Sequence, residues 1–282
     1  MQAFLDMRTL IFTSGVTSMF LFVCMVYARQ KQKTYDGFLY WIFASLTNAT
    51  GMILLSQRDI WPDFLTVVIA NACLILSMML VNIGLNYFTG LQPRNKLYLL
   101  SLLVFLMVFV YFTYALPNLT FRIVVFSGFQ STLYVIAAIL IYRDLPRILP
   151  QKNYILFRFF IFCAIWPVLR IISSFVISEN PVDLIKAGFF HQLTVLVSIA
   201  AFMIMYIGLI VINAQRVEQE MIDAKNDIKT IAGLIPICAN CKKIRDGKGS
   251  WNKLETYLSK HNDIEFSHGI CPECMQKAYP VK

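Results

Sequence analysis

Long apolar runs separated by short polar breaks fill the first three-quarters of the chain. Seven of them approach or exceed the roughly 20 mostly apolar residues that a membrane-spanning helix needs. They cover residues 7–28, 38–56, 64–88, 97–115, 121–142, 154–177 and 189–213. They are too long for the strands of a membrane barrel and lack strict alternation. Beyond Asn213 the spacing of apolar positions changes. Val217, Met221, Ala224, Ile228, Ile231 and Ile235 follow one another at intervals of 4, 3, 4, 3 and 4 residues. That is a heptad seam, and it stays in phase with Ala214 and Ile210 of the seventh run. Glu218, Glu220, Asp223, Lys225, Asp227 and Lys229 keep the other faces wet. The pattern predicts an all-α polytopic membrane protein in three parts: a seven-helix domain over 1–213, a helical coiled-coil connector over 214–235 and a small module over 236–282. A parallel two-stranded coil predicts a homodimer; a single amphipathic helix packed on the module is the alternative.

Composition narrows the class. Of the 282 residues, 58% are hydrophobic and 15% charged, against about 45–50% and 25% in soluble domains. A soluble enzyme and a disordered chain are both excluded. The net charge is +9, and its distribution orients the helices. Arg29, Lys31, Lys33, Arg94, Lys96, Arg143, Arg147, Lys152, Arg216 and Lys225 fall on one side. Arg8, Arg58, Arg122 and Lys186 fall on the other. The richer side is cytoplasmic by the positive-inside rule, which predicts an inner-membrane protein with its N-terminus outside and C-terminus inside. Positive charges follow the first run and no small-residue cleavage site ends it, so a retained helix is expected.

Few polar groups interrupt the runs. Asn71, Asn82 and Asn86 lie on the third and Arg158 and Arg170 on the sixth, while His191 opens the seventh. Asn82 and Asn86 share a helix face and are expected to bond across helices. Arg170 either snorkels to the outer interface or lines, with His191, an outward-facing pocket for a small anion or lipid headgroup. No Asp or Glu falls inside a run, which speaks against a coupled transporter.

Seven cysteines are present. Cys24, Cys73 and Cys163 sit singly in apolar runs and read as small buried hydrophobes. Cys238 and Cys241 form one Cys-x2-Cys pair; Cys271 and Cys274 form another after 29 intervening residues. Two such pairs supply a tetrahedral thiolate set for Zn2+ on the side where disulfides rarely persist. With all four positions filled by sulfur, the ion is expected to be structural. His268 is a candidate for supporting contacts around it. A module of 49 residues, from Leu234 on, is near the size at which a metal becomes necessary for folding. Ile244, Trp251, Leu254, Leu258, Ile264, Phe266 and Tyr279 provide only a small core. Asp246-Gly247 predicts a hairpin turn, Ser250 an N-cap for a helix from Trp251 to about Lys260, and Pro280 the end of a final helix. A zinc-ribbon or treble-clef-like module is expected. A thiol redox switch is the competing use of the same cysteines. Eight basic and five acidic residues from Leu234 on, less the two charges a four-thiolate zinc site subtracts, leave little footprint for nucleic acid.

Two resemblances add context. Asp6-Met7-Arg8-Thr9-Leu10, Tyr35-Asp36-Gly37-Phe38 with Trp41, the segment from Gly51 to Asp59, Ile69-Ala70-Asn71, Gly84 and Phe88-Thr89-Gly90 together resemble the seven-helix sensory region that precedes GGDEF diguanylate cyclase domains in many bacterial signalling proteins. No Gly-Gly-Asp-Glu-Phe loop follows, so the cyclase activity does not carry over. The segment Leu234 to Asp246, with Gly249, Trp251, Glu255, Tyr257, His261 and the stretch Glu265 to Cys274, resembles a four-cysteine module that ends many bacterial sensor proteins, often after PAS or receiver domains. The resemblance implies signalling output or interaction. No cyclase, kinase or hydrolase motif occurs, so the expected function is not enzymatic. It is a sensory transducer in the lipid bilayer that passes a signal through the connector to an unidentified cytoplasmic protein. A redox or metal sensor is the first alternative, and a transporter with a zinc tail the second.

Overall fold

The computed structural model of the chain describes residues 6–149, 154–176, 189–232, 236–245, 249–261, 267 and 269–278. Among the described residues seven helical spans are long and apolar enough to cross a membrane, built on α1 (Met7–Lys31), α2 (Phe38–Ser56), α3 (Ala70–Phe88), α4 (Asn95–Val110), α5 (Leu119–Arg143), α6 (Tyr154–Val176) and α7 (Phe189–Ala232). A π-helical turn over Phe64–Ile69 leads into α3, and another over Tyr111–Ala115 ends α4. The seven apolar runs coincide with these helices, and the chain is a multi-pass membrane protein. It divides into two units, Met1–Glu220 and Met221–Lys282.

Local chemistry sets the helix starts. The Asp6 carboxylate accepts the Thr9 backbone N–H at 3.0 Å and its hydroxyl at 2.8 Å, satisfying free donors in the first turn of α1. Asn118 does the same for α5 through the Phe121 N–H at 3.1 Å. Gly37 starts α2 from a left-handed φ of 96°, which a side chain would strain.

In the first unit α1, α2 and α3 pack in sequence, α3 meets α5, and α5 meets α6. Small residues let these helices approach closely. A Cβ on Gly37 would fall 2.1 Å from the Gly84 carbonyl oxygen, and one on Gly84 would fall 2.3 Å from Trp41 Nε1. The Trp41 indole is buried and donates to the Val81 carbonyl at 3.3 Å. Cross-helix hydrogen bonds complete the seams. Asn48 donates to the Ser18 hydroxyl at 2.7 Å, Ser77 to the Ala44 carbonyl at 2.8 Å, Asn82 to the Leu133 carbonyl at 3.1 Å and Ser131 to the Ala164 carbonyl at 2.8 Å. Asn82 thus bonds across helices as expected, and Asn86, which donates along its own helix to the Asn82 carbonyl at 2.8 Å, also meets the Tyr98 hydroxyl of α4. Phe20, Met107, Ile155 and Phe175 point outward and are 65–86% exposed, an apolar exterior suited to lipid rather than water.

On α7 the buried positions among the described side chains are Thr194, Phe202, Met205, Tyr206, Leu209, Ile212 and Asn213, one stripe at helical spacing. The heptad seam is displaced by one residue from that stripe, about 100° around the helix. Ala214, Met221 and Ala224 are exposed and Val217 is half-buried.

The second unit contains strands β1 (Ile244–Arg245) and β2 (Trp251–Asn252), then helices α8 (Leu254–His261) and α9 (Pro272–Ala278). The strands pair antiparallel, Ile244 with Asn252 and Arg245 with Trp251. The expected strand pairing and final helix are present, and the predicted turn at Asp246-Gly247 and stop at Pro280 lie outside the described residues. The expected helix from Trp251 is corrected: Trp251 belongs to β2, and α8 begins at Leu254. Pairing with Arg245 outweighs the capping signal at Ser250. Among the described residues of this unit Ile244 is the one fully buried apolar side chain, and Trp251 and Leu254 are exposed. Ile264, Phe266 and Tyr279 lie outside the described residues.

Candidate functional site

A cavity of about 110 Å³ lies inside the first unit, lined from α1, α2, α3, α5, α6 and α7 and by Phe109 of α4. Its wall is mostly apolar, with Ile11, Leu55, Leu74, Phe126, Phe162 and Phe202 among the lining side chains. Asn71, Gln130 and Thr194 add neutral polar groups. Three arginines complete it: Arg58, Arg122 and Arg170. The Nε of Arg170 is enclosed and has no hydrogen-bond partner. Pro167, one turn before Arg170, stands inside α6 and also lines the cavity. It withdraws a backbone N–H from the helix and frees the Cys163 carbonyl. The turn of π-helix before α3 contributes Val67 to the same wall; such turns recur at functional sites.

Sequence reasoning singled out Arg170, and the structure puts it on a cavity wall. His191 lies in α7, but its side chain is outside the described ones. In the sequence Arg58 and Arg122 stand only as loop charges. Their grouping with Arg170 depends on helix rotation, which periodicity does not give when a helix is apolar all round. One available signal was that all three fall towards the same expected membrane face.

A second cluster surrounds α7 farther along. The Arg216 guanidinium donates to the Phe88 carbonyl at 2.7 Å and sits 3.9 Å from the Tyr35 ring centroid and 5.1 Å from that of Phe88. Asn213 donates to the Lys33 carbonyl at 3.0 Å and accepts the Tyr35 N–H at 3.4 Å. Lys33 forms an ion pair with Glu220. Tyr35 and Phe88 meet edge to face at 6.0 Å. Partial burial, together with the nearby Glu220 carboxylate, pushes the Tyr35 phenol up to about 12. This clasp ties the α1–α2 loop and the end of α3 to α7. The blocks Tyr35-Asp36-Gly37-Phe38 and Phe88-Thr89-Gly90, prominent in the sequence, meet in and beside it.

The cysteine pairs are formed locally in the second unit. Around the first pair the Cys238 N–H donates to the Lys243 carbonyl at 2.8 Å, and the Lys242 N–H to the Cys238 carbonyl at 3.0 Å. Lys242 takes a left-handed φ of 60°, and Ile237 bridges to Ile244. The backbone N–H groups of Cys241 and Asn240 and the Cys241 side chain hold the Cys238 thiol below its ordinary range. Cys271 immediately precedes α9 and Cys274 lies in its first turn. The Cys274 N–H and side chain lower the Cys271 thiol in the same way. Among the described residues no three His, Cys, Asp or Glu side chains gather at one point, so the structure contains two local pairs. His268 lies outside the described residues. Tight turns with N–H groups aimed at sulfur fit thiolate metal ligation, the fit expected of Zn2+ from the donor set.

The fold and these sites define a seven-helix membrane protein with a two-pair cysteine module. No family model matches the chain, and no curated protein or solved structure matches it.

Proposed function

We propose that the chain is a sensory transducer of a bacterial-type inner membrane, with its N-terminus outside and its C-terminus in the cytoplasm. The observation that carries this reading is the continuity of α7. One helix lines the cavity at Thr194 and Ser198, passes through the clasp at Asn213 and Arg216, and continues to Ala232. A change at the cavity wall therefore has an uninterrupted path out of the bundle. The resemblance to sensory regions that precede cyclases supports the same role, with a different output at the end. The protein is read as non-enzymatic.

The connector is read as a parallel homodimeric coil. The seam at Ala214, Val217, Met221 and Ala224 lies off the bundle-facing stripe, leaving it for the same seam of a second copy. A photocrosslinking residue at Met221 should give a covalent dimer in membranes, and one at Glu218 should not. Insertion of four residues after Ala224 shifts the seam phase and should abolish the output, read as the set of proteins captured by the intact membrane-embedded chain. Unaltered capture after the insertion would sink the rigid-connector reading.

In the module, Cys238, Cys241, Cys271 and Cys274 would hold one structural Zn2+, whose chemistry is to cross-link the two pairs. Beside it is a redox-sensing reading, favoured by the exposure of Cys241, Cys271 and Cys274. Stoichiometric zinc that survives mild peroxide separates the first from the second.

A further inference from the structure

A guanidinium away from water is costly unless a counter-charge meets it. Among the described residues Arg170 makes no ion pair and no Asp or Glu lines the cavity it faces, and its Nε is enclosed and unpartnered. Arg58 and Arg122 line the same space and have interactions of their own. They raise the local positive potential, but the argument rests on Arg170. The wall around it is aromatic and aliphatic: Phe126, Phe162 and Trp166 lie with Arg170 on the cavity lining. One positive group with open hydrogen-bonding capacity therefore meets an apolar chamber.

We propose that this cavity binds an organic monoanion, a carboxylate carried on an apolar body. The carboxylate is held by the Arg170 guanidinium, and the body lies against Phe126, Phe162 and Trp166. The inference rests on the sensory reading above and names the class of ligand for it. A carboxylate matches the planar donor fork of arginine. A monoanion costs less to desolvate than a phosphate dianion. A bare inorganic ion would leave the apolar wall unused. The same chemistry has two sources, a soluble short-chain acid or a fatty acid from the bilayer.

Trp166 lines the cavity and provides the probe. The full chain, in nanodiscs of zwitterionic phosphatidylcholine, is titrated with 2-bromobutyrate, of a size for a cavity of about 110 Å³, or with 2-bromopalmitate, whose tail would extend out of it, while tryptophan fluorescence is read. Saturable quenching is expected, with the component from Trp166 lost in Trp166→Phe. Arg170→Leu should weaken apparent affinity by about tenfold or more, and Arg170→Lys should recover part of it. Quenching by the butyrate supports a soluble ligand; quenching by the palmitate alone supports a bilayer source. Equal quenching by the bromoalcohol of the same length, or unchanged affinity in Arg170→Leu, overturns the inference. If Arg170→Leu does not insert, Arg170→Lys and the alcohol control carry the test. Arg170-dependent binding that leaves the Met221 crosslink and protein capture unaltered keeps the site and removes transduction. Absence of quenching, with capture still altered by clasp variants, removes the ligand and keeps transduction.

Discussion

Between Met7 and Glu220 the chain buries Phe38, Trp41, Phe88, Phe105, Phe160 and Tyr206 almost completely. Between Met221 and Lys282 the described residues bury a single apolar side chain, Ile244. The first unit is held by interlocked helices, with Gly37, Gly84 and Trp41 in direct backbone-to-ring contact. Beyond α7, the described residues of the second form two strands of two residues and two short helices, which bury little surface to set against chain entropy. With the proposed Zn2+ in place, one polypeptide would draw its order from packing at one end and from coordination chemistry at the other.

The largest effect that tests this contrast is metal removal. Chelation, or Cys238→Ser with Cys241→Ser, should unfold the module entirely, measured as loss of amide-exchange protection in β1, β2 and α9. The thermal midpoint of the bundle should not move. A module that keeps its protection and its metal after that double change would defeat the assignment. The converse comes next. Gly37→Ala puts a Cβ against the Gly84 carbonyl and strains a left-handed residue, and should cost the bundle about 2–4 kcal/mol. It should leave module exchange untouched. Asn82→Ala removes the bond from α3 to α5 and should cost about 0.6–2 kcal/mol in the bundle's unfolding. The smallest effect is expected at the clasp. Arg216→Ala loses a carbonyl bond and two ring contacts, worth about 1 kcal/mol. Its clearer readout is a lower protection of α7 near Asn213, with the rest of the bundle unchanged.

How far the sequence foretold these features depends on what each rests on. The seven spans follow from hydropathy alone, and the run over 121–142 became a helix over Leu119–Arg143. The π-helical turns at Phe64–Ile69 and Tyr111–Ala115 left no trace, because apolar residues read alike whether the carbonyl bonds four or five residues on. Trp251 was placed in a helix because Ser250 is a good cap, while a strand of two residues is too short to show alternation. Arg170 stood out as a charge in an apolar run, but its neighbours on the cavity wall come from other helices. The clasp is a meeting of residues some 180 positions apart, such as Lys33 and Asn213. Its pieces were visible as conspicuous blocks, and only the fold brings them together.

The length of α7 has a mechanical consequence. Its 44 residues make a rod of about 66 Å, roughly twice the hydrocarbon thickness of a bilayer. With Arg216 as the fulcrum, the arm to Ala232 is about 24 Å long. A tilt of roughly 10° about the clasp then displaces the far end by about 4 Å, close to the diameter of a methyl group and enough to change which side chains meet. In the proposed transducer, small rearrangements at the clasp would thereby be geared up into a step of molecular size.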